Sequence, residues 1–201
     1  MQIRPSQSGF TLIELLVSLA IFTIVITMAV GTLLVLIDAN AKAQNIQTTM
    51  TNLNFALDSM TREIRTGERY YCASAAGSAF QGSQDRQDCD STPGEFLSII
   101  EGGQSLTAGA PADQHRIEYR LNGTAIERRV CTTSTCSDPW LAVTSSDIVI
   151  TDLNFYVTNS ARLSGSGDTL QPIVTIQVSG QAGEVSGLDT SFSLQTTVTQ
   201  R

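Results

Sequence analysis

The 201 residues carry 12 basic and 19 acidic side chains, for a formal net charge of −7, and 41% of them are hydrophobic. A chain of this length can form one domain with a sizeable core plus an appendage, and is too short for two full domains. Residues 71–201 hold the whole acidic excess, because residues 1–70 have equal numbers of basic and acidic side chains. Because an acidic surface repels phosphate, we expect no specific or nonspecific nucleic-acid binding by this part of the chain.

The first element is an apolar run over residues 10–37, which contains a single charge, Glu14. It exceeds the roughly 20 residues needed to span a bilayer, so it predicts a transmembrane helix. A secretory signal has a shorter apolar run followed by a small-x-small cleavage site, which is not found here, so the segment is predicted to be retained. Arg4 and the free amino group favour a cytoplasmic N-terminus and place the rest of the chain outside.

Glu14 allows two interpretations. An acid in the first turn of a helix interacts favourably with the helix dipole and can reach water at the interface. Alternatively, an ionisable group inside a membrane segment, which costs about 2.5–3.5 kcal/mol at the bilayer centre, marks a site that needs a partner. The chemistry of the residue alone leaves both interpretations open.

The run Ser8-Gly9-Phe10-Thr11-Leu12-Ile13-Glu14-Leu15-Leu16 resembles the processing site of type IV prepilins and type II secretion pseudopilins. The resemblance implies that residues 1–9 are a leader peptide, which a prepilin peptidase removes between Gly9 and Phe10 on the cytoplasmic face. It also implies N-methylation of Phe10 and an assembly role for Glu14, whose carboxylate would neutralise the N-terminal amine of a neighbouring subunit. Opposite charges stabilise each other strongly in a low-dielectric helix bundle.

A second helical pattern follows over residues 38–66, with apolar residues at 46, 50, 53, 57, 60 and 64. This spacing places them on one face of a helix. The face can form a coiled-coil seam, but packing on the protein's own sheet is the commoner arrangement and is the one we expect. Gly67 is a natural C-cap, so residues 10–66 are predicted to form one continuous helix.

Four cysteines, Cys72, Cys89, Cys131 and Cys136, lie beyond the apolar run and therefore in one compartment. Their even number in a polar region predicts disulfides formed outside the cytoplasm, with three possible connectivities. Neither local pair has the Cys-x-x-Cys spacing of a zinc knuckle, so no metal site is expected. Because local pairs cost the least loop-closure entropy, we predict Cys72–Cys89 and Cys131–Cys136.

Residues 71–94 lack periodicity and are interpreted as a loop, and their aspartates Asp85, Asp88 and Asp90 do not follow the order of a calcium-binding loop. The next element is a hairpin, because HRIEYRL and TAIERRV flank the turn pair Asn122-Gly123. Alternation in the first strand predicts that one of its faces is buried and the other is exposed. Further strands are predicted at 96–100, 148–157, 173–178 and 192–198, with exposed connections at 164–168 and 183–187.

These strands and the helix predict an α+β protein in which an antiparallel sheet covers the amphipathic helix, as in type IV pilins. The head, which comprises residues 38–201, is similar to minor pilins and pseudopilins of the J and W types. The similarity lies in the helix end around Arg62 and Arg65, the hairpin, the strand 152–157 and the ending 192–198. Arg62 and Arg65 are interpreted as solvated charges. The resemblance implies a subunit acting in initiation or near the fibre tip, with other subunits and an inner-membrane assembly platform as partners.

Two other classes of protein are the alternatives to a fibre subunit, namely an enzyme and a membrane receptor or sensor. An enzyme is disfavoured because the single histidine, His115, has no Gly-x-Ser-x-Gly elbow and no metal-spaced partner, and no catalytic residue or cofactor is predicted. A single-pass receptor or sensor is the alternative function. Such a protein would keep its first nine residues, so the processed N-terminus distinguishes it from a fibre subunit.

Overall fold

The computed structural model describes residues 9–74, 86–102, 116–131, 136–160, 170–182 and 190–201. His115, Asp85, the leader residues 1–8 and the connections predicted at 164–168 and 183–187 lie outside the described residues. The chain divides into two compact units, Met1–Gln44 and Asn45–Arg201. One helix, α1, enters both units, and the nine strands that the structure describes in the second unit follow it in the chain.

Helix α1 spans Leu12–Thr66 and so begins two residues later than predicted. Every described residue of the first unit is exposed. The most apolar part of α1 has a mean hydropathy of 2.7 with none of it buried inside the protein, and the helix is long and apolar enough to cross a membrane. An apolar surface of this extent has to be covered by lipid or by other protein chains.

In the second unit the helix packs into the core of the head, as the spacing predicted. Its buried residues are Thr49, Leu53, Ala56, Leu57, Met60 and Ile64. The amide of Gly67 donates to Ile64 O at 3.1 Å and closes the last turn. A Cβ at Gly67 would lie 2.9 Å from Ile99 Cδ1 and 3.1 Å from Glu63 O, so the close packing at the end of the helix favours a glycine.

The strands form two antiparallel sheets instead of the one sheet predicted. The first sheet has the order β1-β3-β4-β5-β6, with β1 at Glu68–Ala73, β3 at Phe96–Ile100, β4 at Arg116–Asn122, β5 at Ala125–Cys131 and β6 at Leu141–Ala142. The second sheet has the order β2-β7-β8-β9, with β2 at Cys89–Gly94, β7 at Ile148–Thr158, β8 at Ile173–Ala182 and β9 at Thr190–Thr199. The α+β class is confirmed.

The hairpin prediction is confirmed at β4 and β5. Asn122 pairs with Ala125 next to the turn, and Gly123 has a φ of 60°, the left-handed conformation that favours glycine. The strand predicted at 96–100 has the observed limits, and the three later strands exist but extend beyond the predicted ends. Regular alternation of apolar and polar residues therefore predicted the positions of the strands in this part of the chain.

The interpretation of residues 71–94 as a loop was wrong at both ends, since β1 includes Tyr71 to Ala73 and β2 covers Cys89–Gly94. The sequence of β2 contains Pro93 and no apolar alternation. It is a strand only because Cys89 pairs with Val157 and Gly94 pairs with Phe155 across an irregular register. Tertiary pairing has overridden local propensity here.

The prediction that β4 has one exposed face was also wrong. Arg116 is fully buried and Glu118 is 6% exposed, although both lie on the face opposite Ile117 and Tyr119. Burial of charged groups requires hydrogen-bonded partners. Arg116 Nη1 donates to Ser98 Oγ at 3.0 Å, and Glu118 accepts from Arg129 Nε at 2.6 Å, so each side chain has a hydrogen-bond partner in the same sheet.

Candidate functional site

The predicted processing residues lie together at the start of α1. Gly9 and Phe10 precede the helix without regular structure, and Phe10 is 82% exposed. No described residue other than its chain neighbours lies within 4 Å of the position of a Cβ on Gly9. The described part of the chain therefore does not cover the backbone at Gly9. Glu14 follows one helical turn later, also exposed.

Thr11 is a residue of this site that the sequence reasoning missed. Its Oγ1 accepts a hydrogen bond from the amide of Glu14 at 3.4 Å, which makes Thr11 the N-cap of α1 and Glu14 the third helical residue. Thr-x-x-Glu ahead of an apolar run is the signature of a capping box, so the signal was present in the sequence. This bond uses the backbone amide of Glu14, and the Glu14 carboxylate takes no part in it.

A charged cluster joins the end of the helix to the first sheet. Arg128 contacts Glu63 through two parallel bonds, Nε to Oε2 at 2.9 Å and Nη2 to Oε1 at 2.8 Å, and the Tyr119 hydroxyl donates to the same Oε2. Burial raises the pKa of Tyr119 above its usual range, and the bond to Glu63 raises it further, so the phenol remains a donor. Burial alone would lower the pKa of Arg128, but the hydrogen bond to Glu63 and its negative charge outweigh burial, so the pKa is raised.

Removing either partner of the Glu63–Arg128 pair should destabilise the head. Their side chains are 24% and 28% exposed, so a double-mutant cycle of Glu63→Ala and Arg128→Ala should give a coupling energy of about 1–3 kcal/mol. The exposed pair Asp58–Arg62 on the same helix is the matched control and should couple by less than about 0.5 kcal/mol. Urea unfolding of the full chain in detergent, followed by fluorescence of the single tryptophan, measures both cycles. Equal coupling of the two pairs would contradict this assignment.

The opposite face of the first sheet holds a ladder of charges beside an aromatic ring. Arg120 pairs with Glu127 at 2.8 Å, and Arg129 pairs with Glu118. The guanidinium groups of Arg120 and Arg129 lie 4.0 and 4.3 Å from the ring centre of Trp140. Partial burial raises the pKa of Glu127, but the hydrogen bonds from Asn122 and Arg120 outweigh that effect and lower it. The stacked cations fix the segment before β6 on the sheet.

The first predicted cysteine pair is bonded in the structure. Cys72 lies in β1 and Cys89 in β2, with 5.8 Å between their Cα atoms, so the bond ties the first sheet to the second. Gln87 reinforces this connection, because its carbonyl accepts from the amide of Cys72 and its amide donates to the carbonyl of Tyr70. A Cβ at Gly94 would lie 2.4 Å from Cys72 Sγ, which requires a glycine beside the bond.

The second predicted pair, Cys131–Cys136, is bonded too, with 4.6 Å between the Cα atoms. Glu118 lies close enough for its oxygen and the two sulfurs to fall within 4.8 Å of one another. In this arrangement the sulfurs bond each other and Arg129 holds the Glu118 carboxylate, while Arg129 Nη1 also donates to Cys136 O at 2.8 Å. A cation would have to displace Arg129 and break the disulfide, so these residues do not fit a metal.

The remaining residues singled out in the sequence have structural contacts. Asp88 Oδ1 accepts from the amide of Ser160 at 2.7 Å, and Asp90 accepts from its neighbour Ser91. Arg62 forms an ion pair with Asp58 at 3.5 Å, and its side chain is 80% exposed, as expected for a solvated charge. The Arg65 carbonyl accepts from the amide of Arg201. These contacts support the fold and do not form a catalytic group.

Together, the exposed apolar helix, the motif at its start and the antiparallel head define a type IV prepilin-like protein, which is anchored in a membrane by its helix. The profile of the prokaryotic N-terminal methylation motif matches residues 4–36. The profile of the family described as prepilin peptidase-dependent protein B matches residues 42–200, and the chain belongs to this family. Both are families of structural, pilin-like proteins, and the second name indicates processing by a prepilin peptidase. No curated protein and no solved structure matches the chain significantly.

Proposed function

We propose that the chain is a minor pilin or pseudopilin subunit that is assembled into a type IV pilus or a type II secretion pseudopilus. The observation that supports this most strongly is the apolar half of α1, none of which is buried against the rest of the described chain. A lipid bilayer covers such a surface before assembly, and the helices of neighbouring subunits cover it afterwards. The methylation motif and the prepilin peptidase-dependent family support a processed, pilin-like subunit.

In this proposal residues 1–9 are the leader, residues 10–37 are the transmembrane and assembly segment, residues 38–66 are the helix of the head, and residues 67–201 complete the head. The precursor crosses the inner membrane once, with its N-terminus in the cytoplasm, as Arg4 favours. The peptidase cuts between Gly9 and Phe10, which are exposed ahead of the helix. Phe10 is then methylated, and the assembly platform extracts the subunit into the extracytoplasmic fibre.

The minor role is proposed from the size and construction of the head. Two sheets tied by Cys72–Cys89 form a broad head, and a broad head enlarges the space that each subunit needs around a fibre. Thousands of copies would be harder to pack than a few copies in initiation or near the tip. The presence of Glu14 argues against the extreme tip, because a subunit with no neighbour above it has no amine to neutralise.

Mass spectrometry of sheared fibres tests processing and copy number in one sample. We expect N-methylated Phe10 as the first residue, and only a few copies of the chain per fibre, because the head limits its packing. A strain without prepilin peptidase is the control and should retain Met1 in the membrane fraction. Retention of Met1 in a strain with active peptidase would instead indicate the receptor or sensor. Abundance equal to that of the main pilin would contradict the minor role.

A further inference from the structure

The two sheets have four outer strands, and three of them have features that hinder pairing with another chain. Strand β1 contains Glu68 and Arg69, has an irregular register and is bridged to Gln87 on its other side. Strand β2 contains Asp90 and Pro93, and β6 has only two residues. Charges, proline, irregular register and short length are the usual means of protecting a sheet edge.

Strand β9 has none of these protections. Its ten residues, TSFSLQTTVT, contain no charge, no glycine and no proline, and they pair with β8 in continuous register from Thr190 to Thr199. Its neighbour β8 is also uncharged, although the chain has 31 charged side chains. A long, regular and uncharged edge is the type of edge to which another strand adds.

The backbone groups that face outward from β9 can be assigned from the pairing. Gln200 N donates to Pro172 O just beyond the strand ends, and hydrogen-bonded and non-bonded pairs alternate in an antiparallel ladder. The amides and carbonyls that point away from β8 therefore belong to alternate residues, which are Ser191, Ser193, Gln195, Thr197 and Thr199. All five side chains are exposed, and the described part of the chain provides no other backbone partner for them.

Beside this edge lies a groove of about 310 Å³ between α1 and β9. The strand contributes Leu194, Gln195 and Thr196, and the helix contributes Asn54, Asp58 and Thr61 among others. Asp58 is the one charged residue among those that line the groove, and its side chain is 73% exposed. Asp58 also contacts the exposed Arg62 at 3.5 Å, but the head as a whole has more acidic than basic side chains, so charge complementarity favours a basic segment over an acidic one.

We propose that the free edge of β9 is a binding site for an extended, proline-free polypeptide segment with a basic side chain, which adds to the second sheet as a fifth strand. Its backbone pairs with the outward amides and carbonyls of alternate β9 residues, and its basic side chain lies over Asp58. This site does not depend on cleavage after Gly9 or on assembly into a fibre. A chain that is never processed would still bind such a segment.

Residue-resolved amide hydrogen exchange of the full chain in detergent tests the site with a synthetic nine-residue peptide of alternating threonine and lysine. Without peptide, the five outward amides of β9 should exchange at least about tenfold faster than the amides bonded to β8. The lysine peptide should slow these five amides by about tenfold or more at saturation. A peptide of alternating threonine and glutamate, and a lysine peptide with a central proline, should give little protection.

The matched variants are Gln195→Pro, which removes an outward amide without breaking a bond to β8, and Gln195→Ala, which removes only the side chain. Protection of Ser193 and Thr197 by the lysine peptide should be lost in the first variant and kept in the second. Asp58→Asn should weaken binding of the lysine peptide. Slow exchange of the outward amides before peptide is added, or no protection after it, would overturn the proposal without any variant. Equal protection by the glutamate peptide would overturn the proposal that the bound segment is basic.

Discussion

Replacing Glu14 by alanine should reduce incorporation of the subunit into fibres by about tenfold or more, while membrane insertion and head folding stay unchanged. The expected loss corresponds to about 1.4 kcal/mol of assembly free energy. An opposite charge from a neighbour's Phe10 amine in a low-dielectric bundle can supply at least this much. The helix dipole at an exposed first turn contributes about 0.3–1 kcal/mol, which is less than the expected effect.

Thr11 and Glu14 have the spacing of a capping box, so a second substitution at position 14 is needed to distinguish an ionic role of Glu14 from a capping role. Glutamine serves in a capping box as well as glutamate does, but it has no charge with which to neutralise an amine. If the ionic role dominates, Glu14→Gln should be as defective in fibres as Glu14→Ala. If the cap dominates, Glu14→Gln should behave as the wild type, and the proposed contact with a neighbouring subunit would be wrong.

The control for these variants is Asp38→Ala, which removes a carboxylate from the same helix at another exposed position. It should leave incorporation unchanged, because residue 38 lies far along the chain from the processed end. Quantification of the subunit in sheared fibres and in the membrane fraction gives both measurements from one culture. A similar defect in Asp38→Ala would indicate a nonspecific effect of charge.

Replacing Cys72 and Cys89 together by alanine should cost the head about 3 kcal/mol of stability and lower its melting temperature by about 6–12 °C. The bridge closes 17 residues of chain, and its loss would release the constraint on the unfolded state. Loss of the bridge would also remove the covalent link between β1 and β2, which belong to different sheets. Calorimetry of the full chain in detergent measures the change.

The second bridge is the internal comparison for this experiment. Cys131 and Cys136 are separated by only five residues, so the same double replacement should cost about 2 kcal/mol in the chain-entropy model. Peptide mapping without reductant establishes the pairs in the wild-type protein. Crossed pairs or free thiols would contradict the predicted connectivity, and an equal loss in both variants would contradict the effect of loop length.

Elements with a regular pattern were predictable because their environment repeats along the chain. The stripe from Leu53 to Ile64 and the hairpin around Asn122-Gly123 follow from periodicity and turn chemistry alone. Strand β2 was not predictable in this way, because its residues pair with β7 across more than 60 positions of sequence and have little strand propensity of their own.

The same difference applies to the site. The processing motif is a local pattern. The Thr-x-x-Glu sequence that begins at Thr11 is a local pattern too, although the capping role of Thr11 was not predicted. The cluster of Glu63, Tyr119 and Arg128 was hidden, because its members are 56 and 65 residues apart. In the sequence Arg128 is one of several charges in β5, and only the packing of the head shows that it faces the helix.

Residues 200 and 201 connect a distant part of the sequence to the end of α1. Arg201 N donates to Arg65 O, and Gln200 Nε2 donates to Gly67 O at 3.1 Å across 133 positions of sequence. The Arg65 carbonyl, in the last turn of α1, thus has a partner that is synthesised long after the helix. Contacts at such long sequence separation slow folding, because loop-closure entropy is lost before the contacts compensate for it. These contacts are therefore expected to form late in the folding of the head, after α1 itself.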